Sequence, residues 1–380
     1  MTYPAAPEPP RLDTVDDYRA LAEAMLPDAV RDFVAGGSGS ETTLAANRRA
    51  LDRVTVLPRV LRGAERADPC TTLAGTPAAL PLAVAPMAYQ QLYHPDGEMA
   101  TARAAASAGV PFISSTLSSV SVEEVAGVGG EHWFQLYWLK DDRETFGLVE
   151  RAEAAGCRVL VVTVDVPIMG RRLRDVRNLF TLPAGVRSAN VRSGAQSVAH
   201  RGNGAGSALA THTAAEFHPG LGWEHIELLR SRTSLPIVVK GILDPGDARR
   251  AAEAGATGVV ISNHGGRQLD GAPASVTMLP AAVEAVPAGC QVYLDSGIRG
   301  GTDILRALAL GADGVLIGRP VIWALAAGGQ AGVTGLLGLL AAELHAAMRL
   351  AGCADVAAVR ELSAVLTGSG DRCPLDETMG

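Results

Sequence analysis

The sequence predicts a closed (β/α)₈ barrel. Eight short apolar runs, rich in β-branched residues, begin at Leu82, Val110, His132, Arg158, Leu235, Thr257, Gln291 and Asp313. Each run is almost continuously apolar, as expected for a parallel strand buried on both faces. Helical patterns such as EMATARAAASAG and GDARRAAEAGA, most of which end near a glycine, separate the runs. No GxGxxG motif follows the first run, so a doubly wound dinucleotide-binding sheet is the weaker alternative.

Composition supports an α/β fold and excludes some functions. Of 380 residues, 48% are hydrophobic but only 4% are aromatic, which favours small-residue packing of helices on strands. A net charge of −7 argues against a nucleic-acid-binding surface. The five cysteines are scattered and form no CxxC pair, so we expect reduced thiols and no zinc site or disulfide framework.

We expect three regions along the chain. Residues 1–75 form an N-terminal extension with a helical segment that packs on the barrel, residues 76–350 form the barrel, and residues 351–380 form a polar C-terminal tail. The eighth barrel helix is predicted at GLLGLLAAELHAAMRLAG. No signal peptide or uncharged membrane span is recognisable, which predicts a cytoplasmic protein without membrane contact.

The segment of about 183–215, after the fourth strand, breaks the βα rhythm. It is rich in Ser, Ala, Gly and Arg and lacks apolar periodicity. We interpret it as a mobile loop that covers the barrel mouth and excludes water, with an inert solvated insertion as the alternative.

Polar residues at the ends of the predicted strands indicate an active site, because the carboxyl ends of barrel strands carry function. His264 lies in SNHGGRQ, where two glycines let the backbone approach a ligand closely. Arg267 could grip a carboxylate, and Asp165 at the end of the fourth strand could orient His264. This combination favours a catalytic base over a structural histidine.

Lys240 follows an apolar run and is, with Lys140, one of only two lysines in an otherwise arginine-based chain. Its ammonium could stabilise a developing anion or form a Schiff base, and a surface lysine is the simpler alternative. In GRRLRD, Arg171, Arg172 and Arg174 could form a solvated basic stretch, or one of them could face the site. The seventh and eighth strands end in DSGIRGG and IGRP, at the recurrent phosphate site of barrels.

Several long motifs resemble the family of FMN-dependent 2-hydroxy acid oxidases and dehydrogenases. They are FQLY, TVDVPIMGRR, VVKG, SNHGGRQLDG, DSGIRGGTDILRALALGA and IGRP, and the resemblance runs from about Asp17 to Arg349. It implies an FMN cofactor, a small 2-hydroxy acid substrate, oxygen as a co-substrate and a homotetramer.

The resemblance also implies roles for individual residues. His264 would be the base and Asp165 its partner, Arg172 and Arg267 would bind the carboxylate, and Tyr137 would lie near the 2-oxygen. The flavin would be bound by Pro86, Met87, Ala88, Ser115, Gln135, Thr163, Lys240 and Ser262, its ribityl chain by Asp295, and its phosphate by Gly297, Arg299, Gly318 and Arg319.

Two positions depart from the family pattern. Phe33 stands where the family usually has a tyrosine that binds the substrate carboxylate, and Leu117 stands where glycolate oxidase has a tryptophan. Both changes favour an aromatic substrate. The stretches APMAYQQLYHPDGE, FVAGGSG and TLSSVSVEEVA resemble members that oxidise 4-hydroxymandelate and supply 4-hydroxyphenylglycine for peptide antibiotics.

Two alternatives stay open at this point. The chain could be a mandelate or lactate dehydrogenase that passes electrons to another acceptor, although the absence of an apolar anchor in the loop disfavours a membrane-bound one. It could also be a non-redox flavin barrel or a binding protein.

Overall fold

A computed structural model describes residues 11–191, 199–200 and 207–367. The helices are α1 (Val15–Met25), α2 (Asp28–Ala35), α3 (Thr42–Asp52), α4 (Gly97–Ser107), α5 (Val122–Ala126), α6 (Asp142–Ala154), α7 (Leu173–Arg177), α8 (Ala208–Glu216), α9 (Trp223–Arg232), α10 (Pro245–Glu253), α11 (Ser275–Ala285), α12 (Gly301–Ala309), α13 (Arg319–Leu350) and α14 (Val356–Arg360). The strands are β1 (Val54–Val56), β2 (Thr71–Leu73), β3 (Thr76–Ala78), β4 (Leu82–Val84), β5 (Phe112–Ser115), β6 (His132–Leu136), β7 (Leu160–Thr163), β8 (Ile237–Ile242), β9 (Gly258–Ile261), β10 (Gln291–Leu294), β11 (Gly314–Ile317) and β12 (Ala364–Leu366).

Strands β4 to β11 form a closed parallel barrel, which confirms the predicted fold class. Each of the eight predicted apolar runs overlaps one of these strands. Every residue of six of the strands is buried, and the other two each have one half-buried residue, Gly241 in β8 and Gln291 in β10. This burial agrees with the continuous apolar pattern. Because neighbouring strands are parallel, their carboxyl ends meet at one mouth: Thr163 at the end of β7 pairs with Lys240 in β8.

Large side chains fill the barrel and close its other end. Trp133 and Tyr293 meet edge to face inside it, with ring centroids 6.4 Å apart. The hairpin β2–β3 lies beneath them, where the backbone N–H of Ala74 donates to the Tyr293 hydroxyl at 2.8 Å. The barrel is therefore open only toward the carboxyl ends of its strands.

The eighth barrel helix begins earlier than the sequence analysis expected. Helix α13 starts at Arg319, directly after β11, and bends at Gly328 and Gly329, where the backbone leaves helical geometry. By length and composition alone α13 could span a membrane. In the fold it packs against α1, α4 and α12, so burial in the core accounts for its apolar character.

The segments on either side of the barrel pair with each other. Strand β12 follows α14 and runs antiparallel to β1, with Val54 opposite Leu366 and Val56 opposite Ala364. The C-terminal region was expected to be a polar tail, but residues 364–366 form a strand because β1 offers them a backbone partner. Residues 368–380 lie outside the described residues.

The predicted loop of about 183–215 is shorter at its C-terminal side than expected. Helix α8 occupies Ala208–Glu216, and Leu209 and Thr213 on its inner face are buried. Ala208 and His212 are buried as well, so the buried positions have helical spacing, but two of the four residues are polar and give no apolar period in the sequence. Residues 192–198 and 201–206 of this segment lie outside the described residues, so its predicted mobility stays a prediction.

Two glycines near α13 provide a matched test of the packing. A Cβ on Gly301 would lie 2.2 Å from the backbone nitrogen of Leu344, whereas a Cβ on Gly338 meets nothing within 4 Å. We expect Gly301→Ala to lower the free energy of unfolding by about 1–3 kcal/mol. Gly338→Ala should raise it by about 0.5–1 kcal/mol, because alanine favours a helix interior. Urea unfolding midpoints measure both, and equal midpoints would contradict this packing of α12 on α13.

Candidate active site

A cavity opens at the carboxyl ends of the barrel strands, with about 1100 Å³ of empty space that is partly open to solvent. Most of the residues singled out in the sequence line it. They are Phe33, Pro86, Met87, Ala88, Ser115, Leu117, Tyr137, Arg172, Lys240, His264, Arg267, Asp295, Gly297, Arg299, Gly318 and Arg319. The parallel barrel therefore brings together side chains from positions 33 to 319.

His264 is held by its backbone and by Asp165. The backbone at His264 is left-handed, with φ of 58°, and its N–H donates to the Ser262 hydroxyl at 3.0 Å. Its Nδ1 lies 3.0 Å from Oδ1 of Asp165. This contact assigns the ring proton to Nδ1 and leaves Nε2 as the basic nitrogen. A Cβ on Gly241 would lie 2.5 Å from Cγ of Asp165, so the glycine makes room for the carboxylate.

Burial lowers the pKa of His264 below the ordinary value of 6.5, and the Asp165 carboxylate opposes that shift. The imidazole is therefore neutral at neutral pH and can accept a proton. When it does, the adjacent carboxylate stabilises the positive charge that forms.

Lys240 forms a buried cluster with Asp295 and Ser262. Its Nζ lies 3.0 Å from Oδ2 of Asp295, and the Ser262 hydroxyl donates to the same oxygen at 2.6 Å. Burial alone would lower the pKa of Lys240, but the carboxylates of Asp295 and Asp165 outweigh it and raise the pKa. The lysine is therefore a permanent buried cation rather than a neutral amine, which argues against a Schiff base.

Arginines supply the remaining positive charge. Arg172 is buried, and its Nε has no hydrogen-bond partner among the described residues. Burial and the charge of Arg267 lower the pKa of Arg172 to about 9. Arg171 is exposed, and Arg174 pairs with Glu41 at 2.6 Å, so of these three arginines only Arg172 lines the cavity.

The end of helix α2 fixes two further arginines. Nη1 of Arg267 donates to the carbonyls of Phe33 and Gly36, at 2.8 and 2.7 Å. The Arg319 guanidinium donates to the carbonyls of Val34 and Gly36, at 2.9 and 3.1 Å. Carbonyls at a helix C-terminus lack intrahelical partners and carry partial negative charge, so guanidinium groups are favourable there.

Phe33 lacks the tyrosine hydroxyl of the family, but its ring contacts Arg267 and Phe180. The Arg267 guanidinium lies 5.3 Å from the centre of its ring, and the ring also stacks on Phe180 with centroids 4.5 Å apart. Phe33 therefore supports Arg267 through a cation–π contact. The sequence could not show this contact, because the two residues are 234 positions apart.

Four predicted residues lie just behind the cavity wall: Gln135, Thr163, Asp165 and Ser262. The side-chain Oε1 of Gln135 accepts from the Ser115 hydroxyl at 3.0 Å, while its buried Nε2 has no partner in the described part of the chain. Ser262 and Asp165 contact Lys240 and His264 as described above. Thr163 lines a small neighbouring cavity.

Sequence reasoning missed several residues of the wall. Tyr93 lies in APMAYQQLYHPDGE, which the sequence analysis used only as a stretch that resembles members of the family. Leu209 and Thr213 lie in the segment that was expected to be a loop. Phe217 follows α8 and stacks on Tyr137, with ring centroids 4.4 Å apart. The spacing of Leu209, Thr213 and Phe217 at every fourth position was the available signal.

The site fits a flavin mononucleotide. The buried Nε2 of Gln135 offers an unused hydrogen-bond donor to a polar ring edge. Buried cations suit a phosphate, and Gly318 leaves space that a Cβ would fill, 3.0 Å from Sδ of Met87. Lys240 would hold the ring edge, and Arg299 and Arg319 the phosphate. Fold and site together define a flavin-binding barrel with a basic histidine beside an anion-binding pocket.

Comparison with known proteins specifies that class. The profile of the family described as FMN-dependent dehydrogenase matches residues 22–365. The chain therefore belongs to the FMN-dependent dehydrogenase family, and it is an FMN-dependent 2-hydroxy acid oxidase.

Individual relatives agree with this assignment. The chain is 57% identical to a 4-hydroxymandelate oxidase of Amycolatopsis orientalis, over 92% of this chain and 97% of the relative. It is 49% identical to an L-lactate oxidase of a Nostoc species, over 90% of this chain and 94% of the relative. A crystal structure of mandelate oxidase with (S)-4-hydroxymandelic acid superposes with a TM-score of 0.91 at 56% identity, covering 93% of this chain and 99% of that one.

The contact between His264 and Asp165 predicts a pH dependence. His264 accepts a proton only when neutral, so activity is full above its pKa and is lost as the pH falls through it. Asp165→Asn removes the charge that opposes the effect of burial, so the pKa of His264 should fall further. The acid limb of kcat/KM should therefore move to lower pH, while the plateau drops about 100-fold or more. An acid limb at the wild-type pH would show that Asp165 does not control His264.

Proposed function

We propose that the chain oxidises 4-hydroxymandelate to 4-hydroxyphenylglyoxylate, with oxygen reduced to hydrogen peroxide. The observation that carries this proposal is the aromatic wall of the cavity beside buried arginines. Phe33, Tyr137 and Phe217 supply rings, and Leu117 adds an apolar side chain to the same cavity. Such a wall suits an aryl group better than the methyl group of lactate or the hydrogen of glycolate.

Arg172 and Arg267 bind the substrate carboxylate in this proposal. Arg172 has a buried Nε without a hydrogen-bond partner among the described residues, and this group can donate to the carboxylate. Arg267 is oriented by α2 and Phe33, so its guanidinium is positioned before the substrate arrives. Tyr137 completes this end, with its hydroxyl near the 2-oxygen. Burial raises the pKa of Tyr137, so the phenol stays protonated and can donate a hydrogen bond.

His264 then acts as the base. Oxidation of the 2-hydroxyl to a carbonyl removes two electrons and two protons, and Nε2 of His264 accepts one of those protons. When bound, FMN would supply a two-electron acceptor, and the two electrons and two protons removed from the substrate balance the reduction of one oxygen molecule to hydrogen peroxide. Lys240, a buried cation paired with Asp295, would hold the ring edge of the flavin and stabilise the negative charge of a reduced ring.

The product indicates a biosynthetic context. An aromatic 2-oxo acid is the substrate that amino-group transfer converts to an amino acid, here 4-hydroxyphenylglycine. We therefore propose that the enzyme supplies this residue for peptide antibiotics. The cytoplasmic location and the homotetramer stay predictions.

An anaerobic substrate screen tests the proposal. Purified FMN-loaded enzyme is mixed with 4-hydroxymandelate, mandelate, lactate or glycolate, and bleaching of the flavin absorbance is followed in a stopped-flow instrument. We expect the two aromatic acids to bleach the flavin fastest. Faster bleaching by lactate or glycolate would refute the aromatic assignment. With oxygen as the only acceptor, one peroxide should form per substrate; little peroxide together with rapid reduction of a dye would indicate a dehydrogenase.

Replacement of the base separates chemistry from cofactor binding. We expect His264→Asn to slow flavin reduction by about 10²–10⁴-fold with an unchanged FMN content, because the asparagine amide cannot accept the proton. His345→Asn on α13, outside the cavity, is the matched control and should reduce its flavin at the wild-type rate. Wild-type flavin reduction in His264→Asn would remove His264 from the mechanism.

A further inference from the structure

Helix α8 presents one face to the cavity. Leu209, Thr213 and Phe217 are spaced four residues apart, so they lie along the same side of the helix and its C-terminal cap. All three are buried and line the cavity. Thr213 is the one polar side chain of the three.

The hydroxyl of Thr213 has a defined orientation. It donates to the carbonyl of Leu209 at 2.9 Å, and Sδ of Met169 lies 4.0 Å away. No described residue donates a hydrogen bond to Oγ1. A threonine hydroxyl has one proton and two lone pairs, and the proton is already used within the helix. Thr213 therefore offers the cavity a hydrogen-bond acceptor, which its own donated bond makes stronger.

The position of α8 relates Thr213 to the aryl group of the substrate. Phe217, at the C-terminal cap of α8, stacks on Tyr137 at 4.4 Å. At the other end of the helix, the first backbone N–H donates to the carbonyl of Phe180, whose ring stacks on Phe33. Thr213 therefore lies between the two ends of the aromatic wall against which the aryl group is proposed to pack, where its acceptor would meet a para hydroxyl.

We propose that Thr213 determines specificity by accepting a hydrogen bond from the 4-hydroxyl of the substrate. The inference rests on the proposed function and names the residue that distinguishes 4-hydroxymandelate from mandelate. A phenol is a good donor, and an isolated acceptor in a buried wall favours a ligand that supplies one.

Tyr93 is the competing partner for the phenol. Its side chain is buried and lines the same cavity. Burial raises the pKa of Tyr93, and the positive charges of Arg267 and Arg172 oppose that rise. These neighbours place Tyr93 at the carboxylate end, where its effect on aromatic ligands should not depend on a para hydroxyl.

Binding of two inert acids tests the inference without turnover. FMN-loaded enzyme is titrated with 4-hydroxyphenylacetate and with phenylacetate, which lack the 2-hydroxyl and cannot be oxidised, and Kd is read from the flavin spectrum. The ratio of the two Kd values measures recognition of the para hydroxyl alone. Thr213→Val removes the acceptor with little change in shape, Thr213→Ser keeps it, and Tyr93→Phe tests the competing phenol.

We expect Thr213→Val to reduce the preference for 4-hydroxyphenylacetate about tenfold while phenylacetate binding changes little. Thr213→Ser should keep the preference, and Tyr93→Phe should weaken both acids alike. An unchanged preference in Thr213→Val would overturn the inference, as would a loss confined to Tyr93→Phe or equal weakening of both acids in Thr213→Val. None of these results depends on oxidation, so the proposed function is judged separately by the substrate screen.

Discussion

Buried positive charge at the barrel mouth is the constraint on which the site depends. Arg172, Arg267, Arg319 and Lys240 converge there, and burying a cation costs free energy unless it is paired or hydrogen-bonded. The C-terminal carbonyls of α2 hydrogen-bond Arg267 and Arg319, and Asp295 pairs with Lys240. Arg172 has less compensation, and burial together with Arg267 lowers its pKa. In the proposed function, a substrate carboxylate and a cofactor phosphate are the anions that complete this balance.

The same constraint explains why the N-terminal extension belongs to the active site. Helix α2 precedes the barrel, yet its last carbonyls hold two of the mouth arginines and Phe33 supports one of them. These contacts position the guanidinium groups without using a carboxylate. A carboxylate in that place would neutralise the arginines and compete with the substrate, whereas carbonyl dipoles leave their net charge available.

The barrel and much of its chemistry could be predicted because both follow from local patterns. Continuous apolar runs marked the strands, and His264, Asp165 and Lys240 follow them directly in the chain. What escaped prediction depends on contacts between distant segments. The support of Arg267 by Phe33 and the pairing of β12 with β1 have no local signal, since each is specified by a partner far away in sequence. The inner face of α8 has only a weak signal, because it mixes polar with apolar residues. From the sequence, Phe33 could be interpreted only as the loss of the tyrosine hydroxyl, because the contact of its ring with Arg267 is visible only in the structure.

The residues that the sequence predicted and the residues that it missed lie in different parts of the fold. The residues proposed to hold the flavin and to move the proton lie at or near the ends of barrel strands. Parallel pairing fixes these strands to one another, with Thr163 beside Lys240 and Lys240 beside Val260 in β9. The residues proposed to contact the variable part of the substrate come from α8 and the segment after β5, outside the barrel sheet. A change at Leu117, Thr213 or Phe217 therefore leaves the strand register intact. Specificity for the group on the 2-carbon can thus vary while the geometry of His264 and Asp165 is preserved.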